Sequence, residues 1–190
     1  MSYGTQSSPM QYHQHTSLVR DLKLGMATGD YDVKLNTSNL FPLFPFGRKK
    51  FLKSILNNGA VLIGSRALLC YKINGHSIMN RKPNDWDFVM SESNFLDFCK
   101  DHKIYDFDLS KSSYQMNKSL ATFIGSYSES HWFPCPIQIV IREEEEPYNE
   151  KDGIKFSKLD SIIENKIKLS NDHKHFVDIN NIMVNLHAIK

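Results

Sequence analysis

The spacing of apolar residues becomes regular only from about residue 48 onward. Apolar positions recur at helical spacing over 49–57, which predicts a helix that ends at an Asn-Asn-Gly sequence. The run AVLIG at 60–64 predicts a short strand that is buried on both faces. A helix over 65–71 is expected directly after this strand. The folded part of the chain therefore opens with a helix, a strand and a second helix.

The segment 85–90 alternates polar and apolar residues, as a half-buried strand does. Its sequence, DWDFVM, places Asp85 and Asp87 on one face and Trp86 and Phe88 on the other. We therefore expect a second strand that presents two carboxylates on the same side of a sheet.

The rest of the chain continues this alternation. A helix is predicted over 94–103, and strands are predicted over 122–126 and 136–141. The acidic run and the Lys-Asp-Gly sequence within 143–153 predict a solvated turn that leads to closing helices. The pattern as a whole predicts an α/β (α+β) fold, in which a mixed β-sheet is flanked by helices and further helices close the chain.

Three segments of the chain differ in character. Residues 1–40 are rich in Ser, Gln, Asn, Thr and His with little periodicity, which predicts a loosely ordered N-terminal arm. Residues 41–150 contain the predicted strands and form the expected core. Residues 151–190 are expected to form a C-terminal helical segment.

The composition is typical of a compact, folded chain. Of the 190 residues, 41% are hydrophobic and 23% are charged, which excludes a disordered or coiled-coil protein. A net charge of +2 is not the basic footprint of a general nucleic-acid-binding protein. No apolar run approaches the roughly 20 residues of a membrane span, so we expect a cytoplasmic protein without membrane contact. The three cysteines lack metal-finger spacing and are expected to be reduced, structural thiols.

The candidate chemistry lies in a Gly-Ser pair at the end of the first predicted strand and in the two carboxylates of the second. Gly64 lets the backbone turn tightly and approach a ligand, and Ser65 can donate to a phosphate oxygen. Asp85 and Asp87 can both reach a divalent cation, and their oxygens suit Mg²⁺ that is bridged to substrate phosphates. These residues predict a phosphoryl-transfer site.

The same residues carry a family resemblance. Gly64-Ser65 followed by Asp85-Trp86-Asp87 resembles the hG[GS]…Dh[DE]h pattern of the nucleotidyltransferase superfamily, whose members share the DNA polymerase beta-like fold. The resemblance covers roughly 60–141. The stretch 66–84 is longer than that family usually has, so we expect an extra loop or hairpin from Ile73 to Pro83, with Asn74-Gly75 at its turn.

The resemblance implies a particular reaction. A nucleoside monophosphate would pass from a nucleoside triphosphate such as ATP to a hydroxyl group, with release of pyrophosphate. Asp85 and Asp87 would be catalytic and would hold Mg²⁺, or Mn²⁺ in its place. Gly64, Ser65 and Arg66 would bind the nucleotide. Arg66 and Arg81 are candidate contacts to the triphosphate, and for each of them a plain surface charge is the alternative.

The resemblance also implies a third carboxylate on a later strand, and the sequence offers none at that position. The alternation over 136–141 places Gln138 where the acid is expected, and an amide cannot take a proton. Three alternatives follow: Glu143 replaces the acid through a bulge, the enzyme works with two carboxylates and another base, or activity is lost.

The C-terminal segment places a lysine among apolar residues. Lys166 falls on the stripe that Leu159, Ile163 and Ile167 form, where an ammonium group must either reach solvent or meet an anion. The segment NKIKLSNDHKHFVDI is similar to the closing pattern of the abortive-infection (AbiE-type) toxin nucleotidyltransferases. This resemblance implies that Lys166 contacts a phosphate and that Asp178 is a late catalytic aspartate, so residues 151–190 would complete the site.

The partners follow from the implied reaction. One is a nucleoside triphosphate, and the other is a hydroxyl acceptor on RNA such as a tRNA end, on a protein or on a small molecule. A different class of function is a catalytically silent nucleotidyltransferase-like module that binds nucleotide or a partner protein, and Gln138 is its main support. A small α/β structural protein without a ligand is the third alternative.

Overall fold

The chain folds into a mixture of helices and strands. A computed structural model describes residues 9–38, 40, 46–79, 81–83, 85–103, 113–116, 137–170 and 172–188. Within these residues there are six helices and nine strands in two sheets, so the predicted α/β (α+β) class is confirmed. The strand expected over 122–126 lies outside the described residues.

The helices occupy both ends and the centre of the chain. They are α1 (Pro9–Thr28), α2 (Phe46–Asn57), α3 (Gly64–Leu68), α4 (Glu92–Asp101), α5 (Leu159–Lys168) and α6 (His173–Ala188). None of these described helices combines the length and the apolar content needed to cross a membrane.

The strands are short and most lie between α2 and α5. They are β1 (Val33–Leu35), β2 (Val61–Ile63), β3 (Tyr71–Ile73), β4 (His76–Ser77), β5 (Trp86–Met90), β6 (Ser113–Met116), β7 (Ile137–Ile141), β8 (Tyr148–Lys151) and β9 (Ile154–Ser157). The predicted strands over 60–64, 85–90 and 136–141 correspond to β2, β5 and β7.

The chain divides into two compact units. The sheet unit comprises Thr37–Ala67 and Pro83–Ser157, and the helical unit comprises Met1–Asn36, Leu68–Lys82 and Lys158–Lys190. The helical unit therefore draws on three separated stretches of sequence, whereas the expected division was into three consecutive segments.

The sheet unit is built on a six-stranded mixed sheet. The strand order is β6-β7-β5-β2-β9-β8, with β5 parallel to β7, β2 parallel to β9 and the other pairs antiparallel. Central strands carry fully buried residues such as Leu62, Phe88, Ile139 and Phe156. This burial explains why β2 is apolar along its whole length.

The helical unit holds α1, α5 and α6 together with a small antiparallel sheet of order β1-β3-β4. Helix α5 packs against both α1 and α6. The β3–β4 hairpin turns at Asn74 and Gly75, whose φ angles are +50° and +83°. Both residues tolerate this left-handed backbone. The predicted turn at Asn74-Gly75 is confirmed, and the hairpin begins at Tyr71 rather than at Ile73.

Residues 9–28 form a helix, which corrects the prediction of a loosely ordered arm over 1–40. Leu18 and Leu22, four positions apart, are buried on one face of α1. On the exposed side, Lys23 forms an ion pair with Glu164 of α5, with 3.1 Å between Nζ and Oε1. The largely polar sequence ahead of Leu18 shows no regular apolar spacing, which is why the pattern does not predict this helix.

Residues 148–157 form a hairpin rather than a turn that leads straight to helices. Strands β8 and β9 meet at Asp152 and Gly153, whose φ angles are +54° and +71°. Strand β9 joins the sheet beside β2, where Leu62 lies opposite Phe156. The sheet therefore extends to residue 157, and the C-terminal helices begin at 159 rather than 151.

Two of the three cysteines are buried free thiols, as predicted. Burial raises the pKa of Cys70 and of Cys99 to about 12, so both stay protonated at neutral pH. Cys135 lies outside the described residues.

Leu22→Ala should destabilise the protein by about 2–5 kcal/mol, because it removes a fully buried side chain where α1 meets the rest of its unit. The free energy of unfolding is measured by urea denaturation. Leu24→Ala is the matched control, since Leu24 lies on the same helix and is 60% exposed. Equal stability of the two variants would show that α1 is not docked.

Candidate functional site

Strand β2 ends in a bend at which the backbone touches a carboxylate. Gly64 follows Ile63 and has a φ of +68°, in the left-handed region that favours glycine. A Cβ atom built on Gly64 would lie 2.7 Å from Oδ2 of Asp87. The contact follows from the sheet, because Ile63 is the register partner of Asp87 in the antiparallel pair of β2 and β5. Any other residue at position 64 would push this carboxylate away.

Asp85 and Asp87 are more exposed than Trp86 and Phe88, which alternate with them. Trp86 and Phe88 are 1% and 0% exposed and belong to the core, whereas Asp85 and Asp87 are half-buried. Asp85 comes directly before β5, and Asp87 is its second residue. Asp87 therefore lies at the end of a central strand beside the Gly64 bend, and Asp85 lies one residue ahead of that strand.

An amide lies next to Asp87 on the neighbouring strand. Gln138 is the register partner of Asp87 in the parallel pair of β5 and β7, and it is half-buried. Among the described residues, no group of three or more His, Cys, Asp and Glu side chains is arranged to hold a metal ion. The donor set here is two carboxylates and an amide, with the Ser65 hydroxyl following the bend.

This donor set fits Mg²⁺. Mg²⁺ prefers hard oxygen ligands and is commonly bound by one or two protein carboxylates, with substrate phosphates and water completing its coordination. Asp85 and Asp87 supply two such carboxylates, and Gln138 and Ser65 add neutral oxygen atoms. The residues could hold Mg²⁺ or Mn²⁺ together with a phosphate ligand.

Glu143 cannot take the place of a third acid through a bulge. The pairing of β5 and β7 runs without interruption from Trp86 opposite Ile137 to Met90 opposite Ile141. Glu143 lies beyond the far end of this ladder, about 16 Å along the strand direction from Gln138 at the usual rise per residue. One of the three alternatives for the missing acid is therefore removed.

The acidic run is not uniformly solvated. Glu143, Glu144 and Glu145 are exposed, but Glu146 is buried. Its Oε1 accepts a hydrogen bond from the Ser157 hydroxyl at 2.6 Å, and its Oε2 accepts one from Arg142 at 3.1 Å. These contacts tie the acidic run to the end of β9.

Arg66 is not placed to face a triphosphate. It is 2% exposed, and its guanidinium donates to two backbone carbonyls: Nε to the oxygen of Asp85 at 2.9 Å and Nη2 to that of Pro83 at 2.8 Å. The guanidinium also lies over the ring of Trp86, 4.1 Å from its centroid. The expected nucleotide contact is therefore corrected, because Arg66 binds the segment that carries the two carboxylates.

Lys166 and Asp178 form a buried ion pair in the helical unit. Lys166 Nζ donates to Asp178 Oδ2 at 2.7 Å, and the two side chains are 3% and 2% exposed. Arg81 binds the same carboxylate through both oxygens, with Nε 2.6 Å from Oδ1 and Nη2 2.7 Å from Oδ2. Arg81, expected as a triphosphate contact or a surface charge, is thus a partner of Asp178.

This cluster explains the lysine on the apolar stripe of α5. The anion that Lys166 needs is supplied by Asp178, so its burial requires no phosphate. Burial alone would raise the pKa of Asp178, but the hydrogen bonds from Arg81 and Lys166, and their positive charges, lower it to about 2. A carboxylate with so low a pKa is a weak base at neutral pH.

The predicted site residues thus fall into two groups. The structure brings Gly64, Asp87 and Gln138 to one place in the sheet unit, and Asp85 lies two residues before Asp87, directly ahead of β5. It joins Lys166 to Asp178 in the helical unit, where the catalytic roles implied by the resemblance stay predictions. The backbone hydrogen bonds of Arg66 and the ion pair of Arg81 have no local signal in the sequence, since their partners lie 17 or more residues away.

Comparison with known proteins adds one finding. A family model described as a domain of unknown function (DUF7277) matches residues 60–137, fewer than half of the chain. The matched segment begins just before β2 and ends at the first residue of β7, so it contains the Gly64 bend, the β3–β4 hairpin and both carboxylates. Searches of curated proteins and of solved structures give no match.

The buried carboxylate of Asp178 should make stability depend on pH in the acid range. Its pKa is lowered from 3.8 to about 2, so its contribution is fully present above about pH 4 and is lost as the pH falls through 2. Asp178→Asn leaves two cations without their anion and should cost about 3–5 kcal/mol at pH 7. The difference from the native protein should shrink between pH 5 and pH 2.

This prediction is checked by urea denaturation at several pH values. Asp21→Asn, which changes an exposed aspartate of the same unit, is the control and should have little effect. A stability of Asp178→Asn equal to that of the native protein at pH 7 would contradict the role given to this ion pair.

Proposed function

We propose that the protein is a metal-dependent nucleotidyltransferase that transfers a nucleoside monophosphate from a nucleoside triphosphate to a hydroxyl acceptor, with release of pyrophosphate. The observation that carries this proposal is the contact between the Gly64 bend and the Asp87 carboxylate, with the half-buried Asp85 two residues before Asp87. The Gly64-Ser65 pair alone, or the Asp85-Trp86-Asp87 segment alone, would be weak support for a metal and phosphate site. The proposed chemistry requires that the two lie close together in the fold.

Each residue of this group has a role in the proposed reaction. Asp85 and Asp87 hold Mg²⁺ or Mn²⁺, which supplies Lewis-acid polarisation of the phosphate oxygens. Gly64 leaves room for the Asp87 carboxylate beside the bend, because it carries no side chain. The Ser65 hydroxyl donates to an outer phosphate oxygen and orients the triphosphate.

The acceptor in this proposal is a hydroxyl group on RNA such as a tRNA end, on a protein or on a small molecule. The similarity of the C-terminal segment to toxin nucleotidyltransferases favours RNA or protein. A net charge of +2 gives no broad basic surface, so an RNA acceptor would be bound locally. Salt-sensitive binding distinguishes RNA from an uncharged acceptor.

A second candidate function is favoured by one observation. Gln138 lies beside Asp87 where an acid would be expected, and it cannot accept a proton. A module that binds nucleotide without turning it over would retain Asp85 and Asp87 as metal ligands and would have no use for a third acid. The two candidates share metal-dependent nucleotide binding and differ in turnover.

Asp87→Asn should abolish Mg²⁺-dependent nucleotide binding and transfer. The loss of one metal ligand removes several kcal/mol of stabilisation, which corresponds to a fall of about 100-fold or more. Binding of each nucleoside triphosphate is measured by calorimetry with Mg²⁺, and transfer by incubating α-labelled nucleotides with total RNA and cell lysate.

Asp97→Asn is the matched control, since Asp97 is an exposed aspartate on α4 of the same unit. It should bind and transfer like the native protein. Binding without label transfer in the native protein would select the silent module. Unchanged activity of Asp87→Asn would refute the metal site for both candidates.

Gln138→Glu should strengthen metal binding, because it adds a carboxylate directly beside Asp87. We expect Mn²⁺ affinity to rise about tenfold, since ligand charge tunes the affinity of oxygen sites for divalent cations. The affinity is measured by the electron paramagnetic resonance signal of free Mn²⁺. Gln138→Met, of similar size and uncharged, should not strengthen binding. Equal affinities of the two variants would place Gln138 outside the site.

A further inference from the structure

We propose that Arg66 is the positioning residue that holds the carboxylates of Asp85 and Asp87 in their metal-binding arrangement. This inference rests on the proposed function. Arg66 is 2% exposed, so no face of it is available to a ligand from solvent. A buried arginine must nonetheless satisfy its charge and its donors, and it does so on the segment that enters β5.

The backbone just before β5 has no strand to hold it. The pairing with β7 begins at Trp86, and the pairing with β2 begins at Asp87. Residues 83 and 85 therefore lie ahead of the hydrogen-bonded ladder, although Asp85 is one of the two candidate ligands. Arg66 supplies the missing support by donating to the carbonyl of Pro83 at 2.8 Å and to that of Asp85 at 2.9 Å.

The guanidinium also fixes the residue between the two carboxylates. It lies 4.1 Å from the centroid of the Trp86 ring, a cation–π distance, and Trp86 stacks at 6.0 Å on Phe88 in the core. Successive side chains of a strand point to opposite faces. Holding the Trp86 ring on the core side therefore keeps Asp85 and Asp87 turned to the other side.

The same short segment provides the bend and this support. Gly64 touches the Asp87 carboxylate, and Arg66, two residues later on α3, holds the backbone of Asp85. A planar guanidinium can meet two carbonyls and a ring at once, whereas a lysine has a point charge on a flexible stem. The arrangement therefore depends on arginine rather than on positive charge alone.

Arg66→Lys tests this proposal, with Arg142→Lys as the matched control. Arg142 belongs to the same unit, and its side chain is 47% exposed. Partners that orient metal ligands typically contribute 10–100-fold to metal affinity, so we expect Arg66→Lys to weaken Mn²⁺ binding by about that factor and Arg142→Lys to leave it unchanged. Mn²⁺ binding is measured by electron paramagnetic resonance well below each variant's melting temperature.

The readout separates positioning from simple support of the fold. If Arg66 only stabilised the unit, Arg66→Lys would melt earlier, but the folded protein would bind Mn²⁺ as before, and that result overturns the proposal. Should Arg66→Lys not fold, Trp86→Phe removes the preferred ring of the cation–π contact. This variant should bind Mn²⁺ several-fold more weakly, and unchanged affinity would overturn the proposal.

Asp87→Asn in the same experiment distinguishes the two proposals. If the native protein binds Mn²⁺ and Asp87→Asn does not, the metal site stands and the Arg66 variants decide the positioning role. If the native protein and Asp87→Asn bind Mn²⁺ equally weakly, the metal site itself is refuted and the role of Arg66 falls with it.

Discussion

The close approach of Gly64 to Asp87 is the constraint on which the candidate site depends. Strands β2 and β5 pair so that the carboxylate occupies the space that a side chain at position 64 would fill. Because that position is glycine with a positive φ, the backbone turns at the carboxylate instead of clashing with it. Asp85 and Gln138 then take their places from the strand alternation and from the register with β7.

The carboxylates of the two units differ in burial and in pairing. In the sheet unit, Asp85 and Asp87 are half-buried at the end of a strand, so a ligand from solvent can reach them. In the helical unit, Asp178 is enclosed and neutralised by Lys166 and Arg81. Removal of either partner would leave a charge in a medium that solvates it poorly. The contacts of this second cluster are those of a structural ion pair, whatever further role its residues have.

Three of the six strands of the main sheet (β2, β5 and β7) and the turn of the β3–β4 hairpin could be predicted from sequence, because apolar spacing and the Asn74-Gly75 turn act locally. Helix α1 could not, since the sequence ahead of the buried Leu18 and Leu22 is largely polar and shows no regular apolar spacing. The candidate site could likewise be predicted only where its residues lie in short local patterns. The bend and the carboxylates lie in short patterns, whereas the partners of Arg66 and of Asp178 are set by tertiary packing between residues far apart in the chain.

None of the described candidate residues is an evident general base for the acceptor hydroxyl, and this is compatible with the proposed chemistry. Gln138 cannot accept a proton, Glu143 lies at the far end of the strand, and the pKa of Asp178 is about 2. In enzymes that transfer phosphoryl groups, positioning and electrostatic stabilisation supply almost all of the catalysis. Early removal of the acceptor proton then matters less than the placement of the two carboxylates. Gly64 and Arg66 contact these two residues and determine their placement. The described residues therefore serve to position the carboxylates rather than to transfer a proton.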